Sequence, residues 1–166
     1  MKRLIFFALF CTFAFAGPSD IASAAKRADS KTSAVVELVA RIDREGPIRL
    51  DWIKRVFGAA VQCDGDSERT YCDGTKVTVG GVTMSKVDFR QTELGSLLIL
   101  DFKEQCASVS ELRARFSWQS VENGCTDGAI CMYAETKRRW GKLSVGLPDK
   151  PSSTCAKSVI FDTFPN

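Results

Sequence analysis

The sequence predicts a small α+β domain in which helices pack on one face of a single antiparallel sheet. Three observations lead to this fold class: apolar residues at helical spacing, apolar runs at strand spacing after them, and a repetition of that order in the second half of the chain. Each half is expected to supply one αβββ-like unit, and three disulfides are expected to fasten the fold.

The first 24 residues are typical of a secretory signal peptide. Lys2 and Arg3 precede the apolar run LIFFALFCTFAFA, Gly17–Pro18 follows it, and small residues end the segment at Ala24, with a competing site at Ala16. The run is much shorter than the ~20 residues that a membrane-spanning helix needs. We therefore expect a periplasmic protein, or alternatively a secreted one, with no membrane insertion after cleavage. Residues 25–166 would form a single domain.

Two helices are predicted at the start of this domain. A helix over about 33–45 is indicated by five apolar residues at helical spacing before the Gly46–Pro47 stop: Val35, Val36, Leu38, Val39 and Ile42. A second apolar series from Ile48 to Phe57 predicts another helix, which Gly58 is suited to end.

Strands are predicted after the second helix. TKVTV and VTMSKVDFR flank Gly80–Gly81, which is a two-residue hairpin signal. The next run, SLLILDFK, is apolar enough for a central strand. The first predicted unit therefore covers about 47–104.

The second unit, about 108–166, repeats this order. Ser108 or Ser110 is suited to cap a short helix in VSELRARFSW, and AICMYAET, RWGKLSVG and KSVIFDTF are predicted as strands. A shift of 62 residues superimposes Cys63 on Cys125 and SLLILDF on SVIFDTF. The agreement of helix, cysteine and strand order predicts a tandem repeat.

Six cysteines follow the predicted signal peptide, and an even number in an exported chain predicts three disulfides. The pairs Cys63–Cys72 and Cys125–Cys131 are favoured because they are close in sequence. Cys106–Cys155 is then the remaining pair.

The segment IKRVFGAAVQCDGDSERTYCDG, residues 53–74, resembles the β-lactamase inhibitory protein family. There, a short helix ends in Gly-Ala, a cysteine follows, a polar loop intervenes and a second cysteine opens a strand. The resemblance implies tandem repeats with helices on one side of a curved sheet, whose concave face and loops block an enzyme's active site. The second half departs from the pattern, since no Gly-Ala ends its helix and Cys125 and Cys131 are closer together. No loop of this sequence matches the contact loops of that family, so the resemblance transfers no contact residue and no target.

The chain has no histidine, which excludes Ser-His-Asp and Cys-His catalysis and most zinc sites. Asp64, Asp66 and Glu68 alternate like the start of a calcium loop, but Arg69 stands where that loop needs Gly and Thr75 where it needs Glu. No catalytic residue, metal or cofactor is therefore expected.

The polar loop between Cys63 and Cys72 is the first candidate contact surface. Its candidate partner-binding residues are Asp64, Asp66, Glu68, Arg69 and Tyr71. Tyr and Arg are favoured at binding hot spots, and a closed loop is ordered before it binds. The alternative is a solvated turn closed only for stability.

Two further candidates lie in the second half. Arg138, Arg139 and Trp140 are predicted at a hairpin turn, where the alternative is a turn flanked by a core Trp. Asp149 lies in the Pro-rich loop GLPDKPSS.

These features predict an exported inhibitor or immunity protein that blocks a secreted or periplasmic enzyme or toxin. An envelope assembly adaptor without inhibitory activity is the alternative, and a small secreted hydrolase is third. Without residues 1–24 the chain keeps 21 Lys and Arg and 19 Asp and Glu, a net charge of +2 with both signs interspersed. A nucleic-acid partner is therefore not expected.

Overall fold

The computed structural model describes residues 34–46, 48–66, 68–103, 105–118, 120–123, 132–148 and 154–165. The predicted signal peptide, the predicted Cys125–Cys131 pair and Asp149 lie outside these residues. Within them the fold is α+β, a mostly antiparallel sheet with few helices.

The helices follow the apolar spacing of the sequence. Helix α1 covers residues 34–45, helix α2 Leu50–Phe57 with a 3₁₀ turn at Gly58–Ala60, and helix α3 Val109–Phe116. The Ser108 hydroxyl accepts a hydrogen bond from the backbone N–H of Glu111, which is the N-cap interaction predicted for α3. Each helix contributes buried apolar side chains to one core.

Ten strands are present in the described residues. They are β1 Gln62–Gly65, β2 Arg69–Val79, β3 Val82–Thr92, β4 Gly95–Asp101, β5 Ala107–Ser108, β6 Ser120–Asn123, β7 Met132–Arg138, β8 Gly141–Gly146, β9 Cys155–Ala156 and β10 Ser158–Asp162. Strands β5 and β9 form a separate pair, and the other eight form one sheet in the order β1-β2-β3-β4-β10-β8-β7-β6. All recorded pairings are antiparallel. Each half of the chain thus supplies four neighbouring strands, one more than the sequence predicted.

One face of this sheet packs against the hydrophobic core. Directly opposite residues on six neighbouring strands are all buried: Cys72, Phe89, Leu98, Phe161, Leu143 and Thr136. Leu97, Ile99 and Ile160, which alternate with them, are only half-buried. We call the face that carries these three residues the outer face. The alternation shows that the core lies on one side of the central strands, because successive side chains of a strand point to opposite faces.

The described residues contain two disulfides, and both pairs were expected from the sequence. Cys63 and Cys72 are directly opposite each other on β1 and β2 and fasten that hairpin. Cys106 directly precedes β5 and Cys155 is the first residue of β9, and the two are separated by 49 residues in sequence, against 9 for the first pair. In the chain-entropy account the longer loop contributes about 4 kcal/mol and the shorter about 2.6 kcal/mol, so the second disulfide is the larger stabiliser.

Candidate functional site

Three hairpin turns lie at the same end of the sheet. The β1–β2 turn follows Gly65, the β3–β4 turn joins Thr92 to Gly95, and the β7–β8 turn joins Arg138 to Gly141. The antiparallel registers place all three turns at one end, which we call the tip end of the sheet. Neighbouring strands are about 4.8 Å apart, so the outer two turns are about 24 Å from each other. Both main sequence-predicted surfaces are therefore brought to one end of the molecule.

The β1–β2 turn is ordered by one carboxylate. Asp66 Oδ1 accepts hydrogen bonds from the backbone N–H groups of Glu68 at 2.8 Å and Arg69 at 2.9 Å. The backbone N–H of Asp66 donates to the Arg69 carbonyl, and the Thr70 hydroxyl donates to the Asp66 carbonyl. The hydrogen bonds from Arg69 and Glu68 lower the pKa of the Asp66 carboxyl below its ordinary value. Asp66 therefore shapes the turn, and the exposed side chains of Glu68 and Arg69 project from it.

Tyr71 lies just behind this turn and belongs to a charged cluster on the outer face. The Arg90 guanidinium is 5.9 Å from the Tyr71 ring centroid and donates two hydrogen bonds of 3.0 Å to Asp88. Asp88 is only 3% exposed and lies directly opposite Asp73, so two like charges face each other across β2 and β3. Arg90 and Lys86 offset that repulsion, and the bond to Asp88 raises the pKa of Arg90.

Sequence reasoning missed this cluster, although its signal is present. Lys86, Asp88 and Arg90 alternate along VTMSKVDFR, and alternate residues of a strand share a face. The alternation of charges was available, but the cross-strand position of Tyr71 opposite Arg90 depends on the register.

The β3–β4 turn presents an apolar side chain to solvent. Leu94 is 73% exposed, beside the exposed Glu93. Neither was among the sequence-predicted contact residues. The available signal was a Leu in a two-residue hairpin turn, a position where a polar residue is usual.

Arg138 anchors the β7–β8 turn to two helices. Its Nε atom is 3.1 Å from Asp43 Oδ1 at the end of α1. Both atoms are buried, and they form an ion pair whose geometry does not meet the criteria of a hydrogen bond. The guanidinium also lies 5.7 Å from the Phe116 ring centroid and donates to the Phe116 carbonyl of α3. Arg138 is thus engaged within the protein.

Trp140 is fixed at the same turn. Its indole Nε1 donates a 3.0 Å hydrogen bond to the Asp43 carbonyl, and its ring centroid lies 5.9 Å from that of Phe161. The ring packs so closely on Gly46 that a Cβ there would be 2.6 Å from Cδ1 of Trp140. These contacts suit the alternative that the sequence left open, a Trp packed on the core. Arg139, between the two anchors, is exposed.

A cleft opens at the tip end between helix α1 and two of the turns. It has a volume of ≈ 1190 Å³ and is lined by the end of α1 and its connection to α2, by Gln91–Ser96, by Lys137–Trp140 and by Thr163. Arg138, Arg139 and Trp140 belong to this lining, whereas Asp64, Asp66, Glu68, Arg69 and Tyr71 do not. The two sequence-predicted surfaces share one end of the sheet but form separate patches.

The described residues contain no helix long and apolar enough to cross a bilayer. In the same parts of the chain, no group of three or more His, Cys, Asp or Glu side chains is placed to hold a metal ion. Comparison with protein-family models, curated proteins and solved structures found no match to this chain.

Proposed function

We propose that this protein is an exported inhibitor or immunity protein that binds a secreted or periplasmic enzyme or toxin through the tip end of its sheet. The observation that carries the proposal is the meeting of three turns at one end, two of them held rigidly. Cys63–Cys72 and Asp66 order the β1–β2 turn, and Arg138 and Trp140 fasten the β7–β8 turn. Two disulfides also favour an oxidising compartment.

Rigid turns are suited to tight binding because little conformational entropy is lost when they meet a partner. The width of about 24 Å, from strand spacing, matches a standard interface of about 800 Å² per partner. Leu94 at the centre offers an apolar anchor, and Tyr71 and Arg139 on either side are residue types enriched at hot spots.

We also propose that the two halves of the sheet are tandem units, as the resemblance of residues 53–74 implies. The sheet order supports this, since the first four strands and the last four run in mirrored order from β4 and β10 outward. The buried Cys72 of β2 corresponds to the buried Ala134 of β7, 62 residues later. Their partners across the next strand, Phe89 and Val145, are both buried and 56 residues apart.

The centre of the sheet extends the same correspondence. Leu98 lies opposite Phe89, and Val159 lies opposite Val145, which makes Leu98 and Val159 equivalent at a separation of 61 residues. A uniform shift of 62 would instead match the buried Leu98 with the half-buried Ile160. The β7–β8 hairpin is therefore six residues shorter than β2–β3, and the connection from β8 to β10 is five residues longer than that from β3 to β4.

The proposed function is tested by capture from a periplasmic extract followed by an activity measurement. The protein without residues 1–24 should retain one partner with nanomolar affinity, and the partner's enzymatic activity should fall as the complex forms. Leu94→Ser should weaken binding at least tenfold, because a central apolar anchor is lost. Val121→Ser is the matched control, since Val121 is 50% exposed on edge strand β6, away from the tip end. Equal effects of the two changes would contradict the tip-end interface.

The second candidate is an envelope adaptor that binds through the outer face. The observation in its favour is the half-buried apolar row of Leu97, Ile99 and Ile160 at the middle of the sheet. Such an adaptor would bind several envelope proteins weakly and inhibit none. Ile99→Lys would then abolish binding and Leu94→Ser would not, the reverse of the result expected for the inhibitor.

A further inference from the structure

The cleft at the tip end concentrates the positive charge of the chain. Five cationic residues and two acidic residues line it: Arg44, Arg49, Lys137, Arg138, Arg139, Asp43 and Glu93. The excess of three positive charges is larger than the net charge of +2 that the chain carries without residues 1–24. The rest of that chain therefore has a net charge of −1, and the cleft is the place where an anionic partner is favoured.

Three of these cations are not engaged by any residue that the structure describes. Asp43 neutralises Arg138. Arg44, Arg49 and Arg139 are exposed, and their side chains form no ion pair or hydrogen bond with any residue that the structure describes. Each guanidinium keeps five N–H donors in a planar fork that matches a carboxylate. Besides Asp43, which pairs with Arg138, the cleft lining holds one carboxylate, Glu93, so three guanidinium groups share one negative charge and an anionic partner would reduce their mutual repulsion.

The remaining lining indicates what kind of anion fits. The volume of ≈ 1190 Å³ suits a chain segment better than a small ion. The half-buried Trp140 ring and the exposed Leu94 side chain add apolar surface beside the arginines. A peptide that carries both carboxylates and an apolar side chain uses both features.

A patch of opposite sign lies at the other side of the tip end. Asp64, Asp66 and Glu68 outnumber Arg69 at the β1–β2 turn, about 24 Å from the β7–β8 turn by strand spacing. The near side of the cleft, at the β3–β4 turn, is only about 10 Å from the β1–β2 turn by the same spacing, which is close to the Debye length of about 8 Å at physiological salt. A partner at the cleft therefore experiences both patches. A partner that is acidic throughout, such as a nucleic acid, would be attracted by the cleft and repelled by the β1–β2 turn.

We propose that the cleft binds an acidic peptide segment of the partner protein, a loop or chain end in which carboxylates flank an apolar side chain. The identity of that partner rests on the proposed function, but binding of the peptide class does not. The arginines pair with the carboxylates, and the apolar side chain packs between Leu94 and Trp140.

The test uses an acetylated, amidated Glu-Glu-Leu-Glu-Glu peptide, with Gln-Gln-Leu-Gln-Gln as the neutral control. The peptide should bind the protein without residues 1–24 and shift the indole N–H signal of Trp140 in NMR spectra. R44Q/R49Q/R139Q should weaken binding about ten- to hundredfold, since each exposed ion pair changes an affinity by about two- to fivefold and three are lost. R55Q/R113Q/R115Q is the matched variant, because it removes the same charge from exposed arginines of α2 and α3 outside the cleft. It should keep binding within about twofold.

Equal losses in the two triple variants, or equal binding of the neutral peptide, would overturn the proposal. Dextran sulfate and phosphatidylglycerol vesicles test the other anionic classes; binding of either through the three arginines, with none of the acidic peptide, would also overturn it. The proposed function is judged independently. If an enzyme is inhibited and its affinity is unchanged by R44Q/R49Q/R139Q, the proposed function stands and peptide binding in the cleft is refuted. If the peptide binds in the cleft but no enzyme is inhibited, the cleft proposal stands and the proposed function is refuted.

Discussion

Arg138 links the β7–β8 turn to helices α1 and α3, and its replacement by Gln tests how firmly that turn is held. The side chains of Arg138 and Asp43 are 23% and 20% exposed, which places this ion pair between the surface and buried classes. We expect about 1 kcal/mol from the ion pair and about 0.5–1 kcal/mol from the stacking on Phe116. Loss of both lowers the free energy of unfolding by about 2 kcal/mol. At a urea m-value of about 2 kcal/mol/M the midpoint falls by about 1 M.

Urea denaturation of Arg138→Gln, Asp43→Asn and the double variant measures the coupling directly. The two single changes should be non-additive by about 1 kcal/mol, because both remove the same ion pair. Arg139→Gln is the matched control; it removes an exposed arginine that has no ion pair or hydrogen bond within the described residues, and it should change the free energy of unfolding by less than about 0.5 kcal/mol. A coupling near zero, or an equal effect of Arg139→Gln, would refute the anchoring role of Arg138.

Three further predictions concern turns and backbone. Because the pKa of Asp66 is lowered in the folded protein, its carboxylate stabilises the fold at pH values above the ordinary pKa of 3.8. This stabilisation is lost as the pH falls through the folded pKa. An NMR titration midpoint of Asp66 at or above 3.8 would contradict the prediction. Gly141→Ala should lower the free energy of unfolding, measured in urea, by at least about 2 kcal/mol, because φ is +145° and a Cβ would be 2.1 Å from the Asp162 carbonyl oxygen. In Gly80→Ala the Cβ meets no atom within 4 Å, so the loss should be about 1 kcal/mol. Equal losses in the two variants would contradict this prediction. Lys76→Gly should stabilise by about 1 kcal/mol because Lys76 has φ +53°, and a lower melting temperature would speak against that strain.

Local patterns were enough to predict the helices, the β2–β3 hairpin and the inner position of SLLILDFK. These elements have long apolar series or a Gly-Gly turn, and their conformation depends mostly on nearby residues. Strands β1 and β6 were not predicted, because they are only four residues long. They are strands by virtue of pairing with β2 and β7. CDGDSERTYC was therefore expected as a loop and is in fact a hairpin with a short turn.

The candidate site was predictable only in part. The stapled turn and the Arg-Arg-Trp turn were identified by composition, but their position at one end follows from the pairing of β4 with β10, which no local pattern specifies. The cleft joins Arg44, Gln91 and Arg139, three positions that are far apart in sequence. Leu94 was missed because a single apolar residue in a turn carries no periodicity.

The pairing of β4 with β10 also determines the order in which the sheet is completed. Asp101 pairs with Ser158, so β4 lacks one of its two neighbouring strands until the chain has been synthesised through β10. Until then the apolar β4 is an unprotected edge, the kind of strand that promotes aggregation. Cys106 follows β4 and Cys155 precedes β10 by a few residues. A disulfide between them holds β4 and β10 close together before the intervening residues have packed. We therefore expect refolding from the reduced chain to be slow and prone to aggregation, and refolding with this disulfide intact to be markedly faster.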